Sequence, residues 1–188
     1  MKFLDHLEEW LIATLMALAT IVVFVAVVHR YASGLDIIPG VQDALIKLNT
    51  SWAQELTIYM FVWMAKFGAA YGVRTGIHVG VDVLINQMNA PWRRKFVVIG
   101  LLAGALFTGI VGTLGATFVY ELSHTSSTSE VLEIPMWIVY LAVPLGSYLM
   151  CFRFLQVAWT FLRTGELPKH DHAYVEGLDE ELEKGAKA

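Results

Sequence analysis

One lysine lies inside an apolar stretch that is long enough to cross a bilayer. Residues 52–74 exceed the roughly 20 residues that a membrane helix needs. Lys66 lies just past the centre of this stretch, which places it about 5 Å from the midplane of the bilayer. A charge there costs about 2.5–3.5 kcal/mol and usually faces a partner or a polar cavity. Two partners fit its chemistry: a lipid phosphate reached by snorkelling, or a carbonyl or acid of a partner subunit.

The nearest acid in this stretch is Glu55. It shares nearly the same helix face as Lys66, but about 16 Å separates them along the axis, which is too far for a salt bridge. The other three apolar stretches hold no acid at the depth of Lys66. Glu55 lies in the first turn, where the helix dipole favours an anion; a contact to the outside face of a partner is the alternative role.

His78 and Asp82 lie four residues apart, which permits an imidazole–carboxylate hydrogen bond on one helix face. Two ligands are too few for a metal site, so we predict an ordering contact in a cytoplasmic interfacial motif. Apolar residues recur at helical spacing between residues 81 and 88. This pattern predicts a short interfacial helix after the second span.

Side chains for catalysis or cofactor binding are not apparent. The histidines His29, His78 and His124 lie at or beyond the ends of the apolar stretches, outside the hydrocarbon core, and do not form the facing pairs that haem ligation between spans requires. Cys151 is the only cysteine, which excludes a cysteine-based metal cluster. The sequence predicts a non-enzyme with no catalytic, cofactor-binding or metal-binding residues, and no basic patch that would bind nucleic acid.

Small residues recur every four positions in two of the apolar stretches, which lets another helix approach closely. The stripes are Gly68, Gly72 and Gly76 in one stretch, and Gly104, Thr108, Gly112 and Ala116 in the other. They serve packing within this chain or a subunit interface. The candidate residues for a subunit or lipid interface are Trp52, Glu55, Lys66, Gly68, Gly72 and Arg74.

Composition sets the fold class. Of 188 residues, 56% are hydrophobic and 16% charged, and the mean hydropathy is +0.57, which excludes an ordinary soluble domain. Four spans are expected, at about 10–29, 52–74, 96–120 and 134–152, the last kinked by Pro144 and continuing as helix to about residue 164. The sequence predicts one all-α integral membrane domain over residues 1–188, with an acidic, mobile cytoplasmic tail from residue 165.

Positive charges predict the orientation. The loop between the second and third spans and the segment after the fourth are rich in arginine and lysine, whereas the loop before the fourth span has neither. By the positive-inside rule, the N-terminus, the middle loop and the C-terminus are cytoplasmic.

The second span and the segment after it resemble the small membrane subunit, or Q component, of tripartite ATP-independent periplasmic (TRAP) transporters. The matching residues are Trp52, Glu55, Leu56, Phe61, Trp63, Gly68, Ala69, Ala70, Val73, Arg74, Gly76, His78, Val81, Asp82 and Leu84, with Pro144 to Gly146 in the fourth span. The residues of this motif are most similar to those of the C4-dicarboxylate branch of the family.

This resemblance implies a multi-pass protein of the bacterial inner membrane, in contact with membrane lipids. Its partners would be a large TRAP membrane subunit, which carries the sodium and substrate sites, and a periplasmic substrate-binding protein. The small subunit would brace the large one during sodium-coupled uptake of an organic acid. The alternative is a membrane anchor of a redox complex that binds haem or quinone, and an absorbance spectrum with a Soret band would favour it.

Overall fold

The computed structural model describes residues 2–34, 41–75 and 90–165. The helices of these ranges are α1 (Lys2–Ser33), α2 (Val41–Lys47), α3 (Ser51–Thr75), α4 (Ala90–Ser123), α5 (Met136–Tyr140) and α6 (Ala142–Thr164). Four segments are long and apolar enough to cross a membrane: His6–Ser33, Ser51–Thr75, Trp92–Ser123 and Met136–Thr164. The all-α, four-span membrane class is therefore confirmed.

Two expectations fall outside the described residues. The predicted interfacial helix, the pair His78 and Asp82, and nearly all of the predicted acidic tail lie in residues 76–89 and 166–188, outside the described ranges. Both stay predictions.

The four long helices form an open row. Helix α1 packs on α3, α3 packs on α6, and α6 packs on α4. Because the row does not close into a bundle, both of its faces display large apolar side chains. Phe24, Leu106 and Trp159 are each exposed over 60% or more of their surface. In a membrane, lipid tails or partner helices must cover these faces.

The ends of the row are called outer and inner after the orientation that the sequence predicts: the outer end holds the loop between α4 and α5, and the inner end holds the start of α4 and the end of α6. The fourth span is divided near its outer end. Helix α5 stops at Tyr140, Leu141 forms a turn, and α6 starts at Ala142. Proline lacks an amide hydrogen, so Pro144 leaves the Tyr140 carbonyl without its usual helical donor. The sequence predicts a kink at Pro144 itself, and the break lies three residues earlier in the chain.

The small-residue stripe of α4 packs against α6 of the same chain. A Cβ added at Gly104 would lie 2.9 Å from the ring of Phe154, and one at Gly112 would lie 3.0 Å from the ring of Tyr148. Thr108 between them is buried. Of the two uses that the sequence leaves open, this stripe therefore serves packing within the chain.

Candidate functional site

Lys66 lies where α3 packs on α6. A Cβ added at Gly146 would lie 2.6 Å from Cβ of Lys66 and 3.2 Å from its carbonyl oxygen, so the two backbones approach closely. The lysine side chain is half-buried. Within the described part of the chain, its ammonium group has no hydrogen-bond or salt-bridge partner.

An apolar stripe on α3 is exposed along most of its length. Ile58, Phe61 and Ala65 are exposed, and a Cβ added at Gly68 would meet nothing within 4 Å. These residues follow one another at spacings of three or four, so they share one helix face. Gly72 continues the face towards the inner end but is buried. Of the predicted glycine stripe, Gly68 is therefore accessible to another helix or to lipid, whereas Gly72 is covered by other residues of this chain.

The outer end of the row is fastened by the Glu55 carboxylate. Its Oε2 accepts hydrogen bonds from the amides of Val131 (3.0 Å) and Leu132 (2.8 Å). Its Oε1 accepts one from the amide of Glu130 (3.1 Å) and one from the hydroxyl of Tyr59 (2.6 Å). Three consecutive amides around one carboxylate form an anion-binding nest.

The loop held by Glu55 also has internal hydrogen bonds. The Ser129 amide donates to the carbonyl of Ile134 (2.8 Å), and the Ile134 amide donates to the hydroxyl of Ser129 (3.1 Å). Thr128 and Pro135 form an isolated antiparallel bridge. The acid of α3 therefore fixes the loop between α4 and α5, a contact that neither sequence-based role of Glu55 includes.

Trp52 lies at the outer end of the seam between α1 and α3. Its side chain is 41% exposed and borders a cleft of about 140 Å³ that is also lined by Ile21 and Val25 of α1. Partial exposure at a helix end is the position that an aromatic belt favours. Its use as an interface residue stays a prediction.

A buried ion pair lies towards the inner end of the row. Arg153 of α6 donates to Oε1 of Glu8 through Nη2 (2.7 Å) and Nε (3.1 Å), and its Nη1 donates to Oε1 of Gln156 (2.8 Å). Glu8 and Arg153 are each 1% exposed. Oε2 of Glu8 is buried and accepts no hydrogen bond from a described residue, so the contacts of Oε1 offset the desolvation of the two charges only in part. The pair joins α1 to α6.

A second ion pair lies beside the first and is exposed. Nη2 of Arg74 donates to Oε1 of Glu9 at 3.2 Å, and the guanidinium lies 5.1 Å from the centre of the Tyr71 ring. Arg74, predicted as an interface residue, therefore joins α3 to α1. Sequence reasoning missed both pairs; the available signal was the adjacent acids Glu8 and Glu9 next to the start of the first apolar stretch.

The described helices thus form a row of four apolar segments, with charged side chains joining them near both ends. Residues 19–164 match the family model described as "Tripartite ATP-independent periplasmic transporters, DctQ component". This chain belongs to the DctQ family.

Relatives from three bacteria agree, each named a C4-dicarboxylate TRAP transporter small permease protein DctQ. The protein from Rhodobacter capsulatus is 57% identical, over 97% of this chain and 88% of its own length. Those from Vibrio cholerae and Pseudomonas aeruginosa are 31% and 33% identical, over 89% and 84% of this chain and 76% and 83% of their own lengths.

Membership of the DctQ family decides between the two functional classes that the sequence leaves open. The chain is a small, multi-pass membrane subunit of a TRAP transporter, and the redox-anchor alternative loses its support. His29, near the outer end of α1, bonds instead to the Leu45 carbonyl (3.0 Å) and lies 3.4 Å from the Thr50 hydroxyl.

Proposed function

We propose that this DctQ chain is a non-catalytic brace for a large TRAP membrane subunit. The observation that carries the proposal is the open row of helices, α1–α3–α6–α4. Over the residues that the structure describes, this row encloses no interior through which a solute could cross. Its two described grooves, between α4 and α6 and between α1 and α3, are lined mainly by apolar side chains, which offer a dicarboxylate no charged partner.

The substrate of the complete transporter is a C4-dicarboxylate. The support is the name of the Rhodobacter capsulatus relative, which is 57% identical over nearly the full length of this chain. Sodium coupling and delivery by a periplasmic binding protein follow from the family resemblance. Both belong to the partner subunits.

The membrane is the bacterial inner membrane, and both termini face the cytoplasm. The support is the charge pattern: Arg93, Arg94 and Lys95 start α4, and Arg163 lies in the last turn of α6, whereas residues 122–132 contain no lysine or arginine. Positive charges near span ends are retained on the cytoplasmic side.

Uptake of radiolabelled succinate into sodium-free vesicles, diluted into buffer with or without sodium, tests the proposal. Vesicles with this chain alone should accumulate no more than empty vesicles. Vesicles that also contain the large subunit, supplied with the binding protein, should accumulate succinate under an inward sodium gradient. Accumulation by this chain alone would show that the accessory role is wrong, and full uptake by the large subunit without this chain would show that no brace is needed.

A further inference from the structure

A groove with a volume of about 670 Å³ runs along the seam between α4 and α6. Leu102, Leu106 and Ile110 line its α4 side, and Cys151 and Leu155 line its α6 side. The groove opens towards the surroundings of the helices, because Leu106 is 67% and Leu155 48% exposed. The lining is mainly apolar and includes no charged side chain; its polar groups are the hydroxyls of Tyr148 and Thr113, which bond to each other at 3.2 Å. Such a surface favours an apolar chain.

Helices α4 and α6 pack directly against each other at the inner end of the seam. Val97 of α4 and Phe161 of α6 form a buried apolar cluster against which Val98 and Leu101 pack. The two helices are therefore in contact at the inner end of the groove. The groove is a depression along the surface of the row, not a gap between separated helices.

Basic side chains lie at the inner mouth of this groove. Lys95 precedes Leu102 by seven residues, close to two turns, so it lies on the groove face of α4. Arg163 of α6 lies 4.7 Å from the centre of the Trp159 ring, and Trp159 follows Leu155 by one turn. Both cations are exposed.

Arg94 shows that the two basic helix ends lie at the same level. Its Nη2 donates to the carbonyl of Leu162 at 3.2 Å, joining the start of α4 to the end of α6. Lys95 and Arg163 form no salt bridge in the part of the chain that the structure describes. The inner mouth of the apolar groove thus has two cations that form no salt bridge with a described carboxylate.

The spacing fits one leaflet. Leu102 lies about 10 Å and Leu106 about 16 Å along α4 from Lys95, and half of a bilayer's hydrocarbon core is about 15 Å. A headgroup at the level of Lys95 would therefore place its acyl chain along the inner half of the groove. Clusters of basic residues next to membrane helices attract anionic lipids.

We infer that the seam between α4 and α6 is a binding site for an anionic phospholipid, with the phosphate at Lys95 and Arg163 and an acyl chain along the groove. The lipid would fill the side of the row that this chain leaves open and stabilise the contact of its last two long helices. This inference goes beyond the bracing role and depends on the proposed orientation only for the choice of leaflet.

The test uses the purified full chain in mild detergent, titrated with phosphatidylglycerol or with phosphatidylcholine. Native mass spectrometry measures retained lipid, and the alkylation rate of Cys151, the only cysteine of the chain, reports whether the groove is filled. We expect phosphatidylglycerol to be retained and to slow alkylation, and phosphatidylcholine to do neither at the same concentration.

The variant Lys95→Gln/Arg163→Gln should raise the half-saturating phosphatidylglycerol concentration about 30-fold, from the typical contribution of two basic residues near a membrane surface. Arg93→Gln is the matched control, because Arg93 precedes Leu102 by nine residues and lies on the opposite face of α4. It should bind phosphatidylglycerol nearly as the unaltered chain does.

Three results would overturn the inference. Equal retention of both lipids would show a groove that takes any acyl chain without regard to headgroup charge. Equal loss of binding in the Arg93 control would show a diffuse charge effect instead of a site. Displacement of phosphatidylglycerol and protection of Cys151 by the large subunit would assign the groove to a partner helix.

Discussion

Glu8 and Arg153 meet across the row although their helices are not neighbours in it. The distance from Oε1 of Glu8 to Nη2 of Arg153 is 2.7 Å, and both side chains are almost completely buried. Helix α1 packs along α3, and α3 separates it from most of α6. The pair therefore ties the first helix to the last and fixes α1 along its axis and about it.

Removing one partner of this pair should strongly destabilise the chain. Glu8→Ala removes the carboxylate that accepts two hydrogen bonds from the buried Arg153, and removal of one partner of a buried pair costs about 3–5 kcal/mol. Thermal unfolding in detergent measures the loss. The control is Glu9→Gln, which breaks the exposed pair with Arg74 and should cost about 0–1 kcal/mol.

Replacing both charged residues separates the contribution of the ion pair to stability from that of side-chain packing. Glu8→Met/Arg153→Met removes both charges, and an apolar pair of similar size is often neutral or stabilising. The double variant should be more stable than Glu8→Ala. If it is less stable, further contacts of Arg153, such as that with Gln156, carry the stability instead of the ion pair.

Glu55→Gln should loosen the outer loop without unfolding the helices. Glutamine keeps the size but has one acceptor oxygen, and its amide hydrogens would face the loop amides that now bond to the carboxylate. Hydrogen exchange at the amides of Glu130, Val131 and Leu132 should become faster, while exchange within α3 stays slow. Glu121→Gln, at an exposed acid in the last turn of α4, is the control; unchanged exchange in Glu55→Gln would contradict the anchoring role.

The number of spans could be predicted because continuous apolar sequence is a local property, and the described residues contain four helices long and apolar enough to cross a membrane. The contacts of the charged residues could not. Glu55 meets amides that are 75 to 77 residues later in the chain, and Glu8 meets an arginine 145 residues later. Such pairs depend on which helices are neighbours and in what axial register, which the periodicity of one helix does not contain.

Two glycines provide a matched test of where α3 meets other helices. Gly146→Ala places a methyl group 2.6 Å from Cβ of Lys66, and overpacking of this kind costs about 1–3 kcal/mol. Gly68→Ala adds the same atom where nothing lies within 4 Å, so the isolated chain should keep its thermal stability. If the open stripe on α3 receives a helix of the large subunit, Gly68→Ala should reduce copurification with that subunit. Normal recovery of the pair would place this stripe against lipid.

Reporter fusions should place the loop before the fourth span and the C-terminal tail on opposite sides of the membrane. A fusion after Lys169 should report the cytoplasm, and an insertion among residues 125–129 should report the periplasm, because cations accumulate at cytoplasmic span ends. Signals from the same compartment at both sites would contradict the four-span topology.

Lys66→Met tests the one lysine within the second span. Methionine keeps the length of the side chain and the Cβ that packs on Gly146, and it removes a charge whose insertion costs about 2.5–3.5 kcal/mol. The isolated chain should fold as well as before, since no described residue pairs with the ammonium group. Copurification with the large subunit, or the amount of bound lipid, should fall, and uptake should fall with it. Lys47→Met, at an exposed lysine outside the four spans, is the control and should change neither. Thermal stability and recovery of the pair are measured side by side: if Lys66→Met unfolds the isolated chain while the surviving fraction pairs normally, the lysine has a partner within this chain and does not serve the interface.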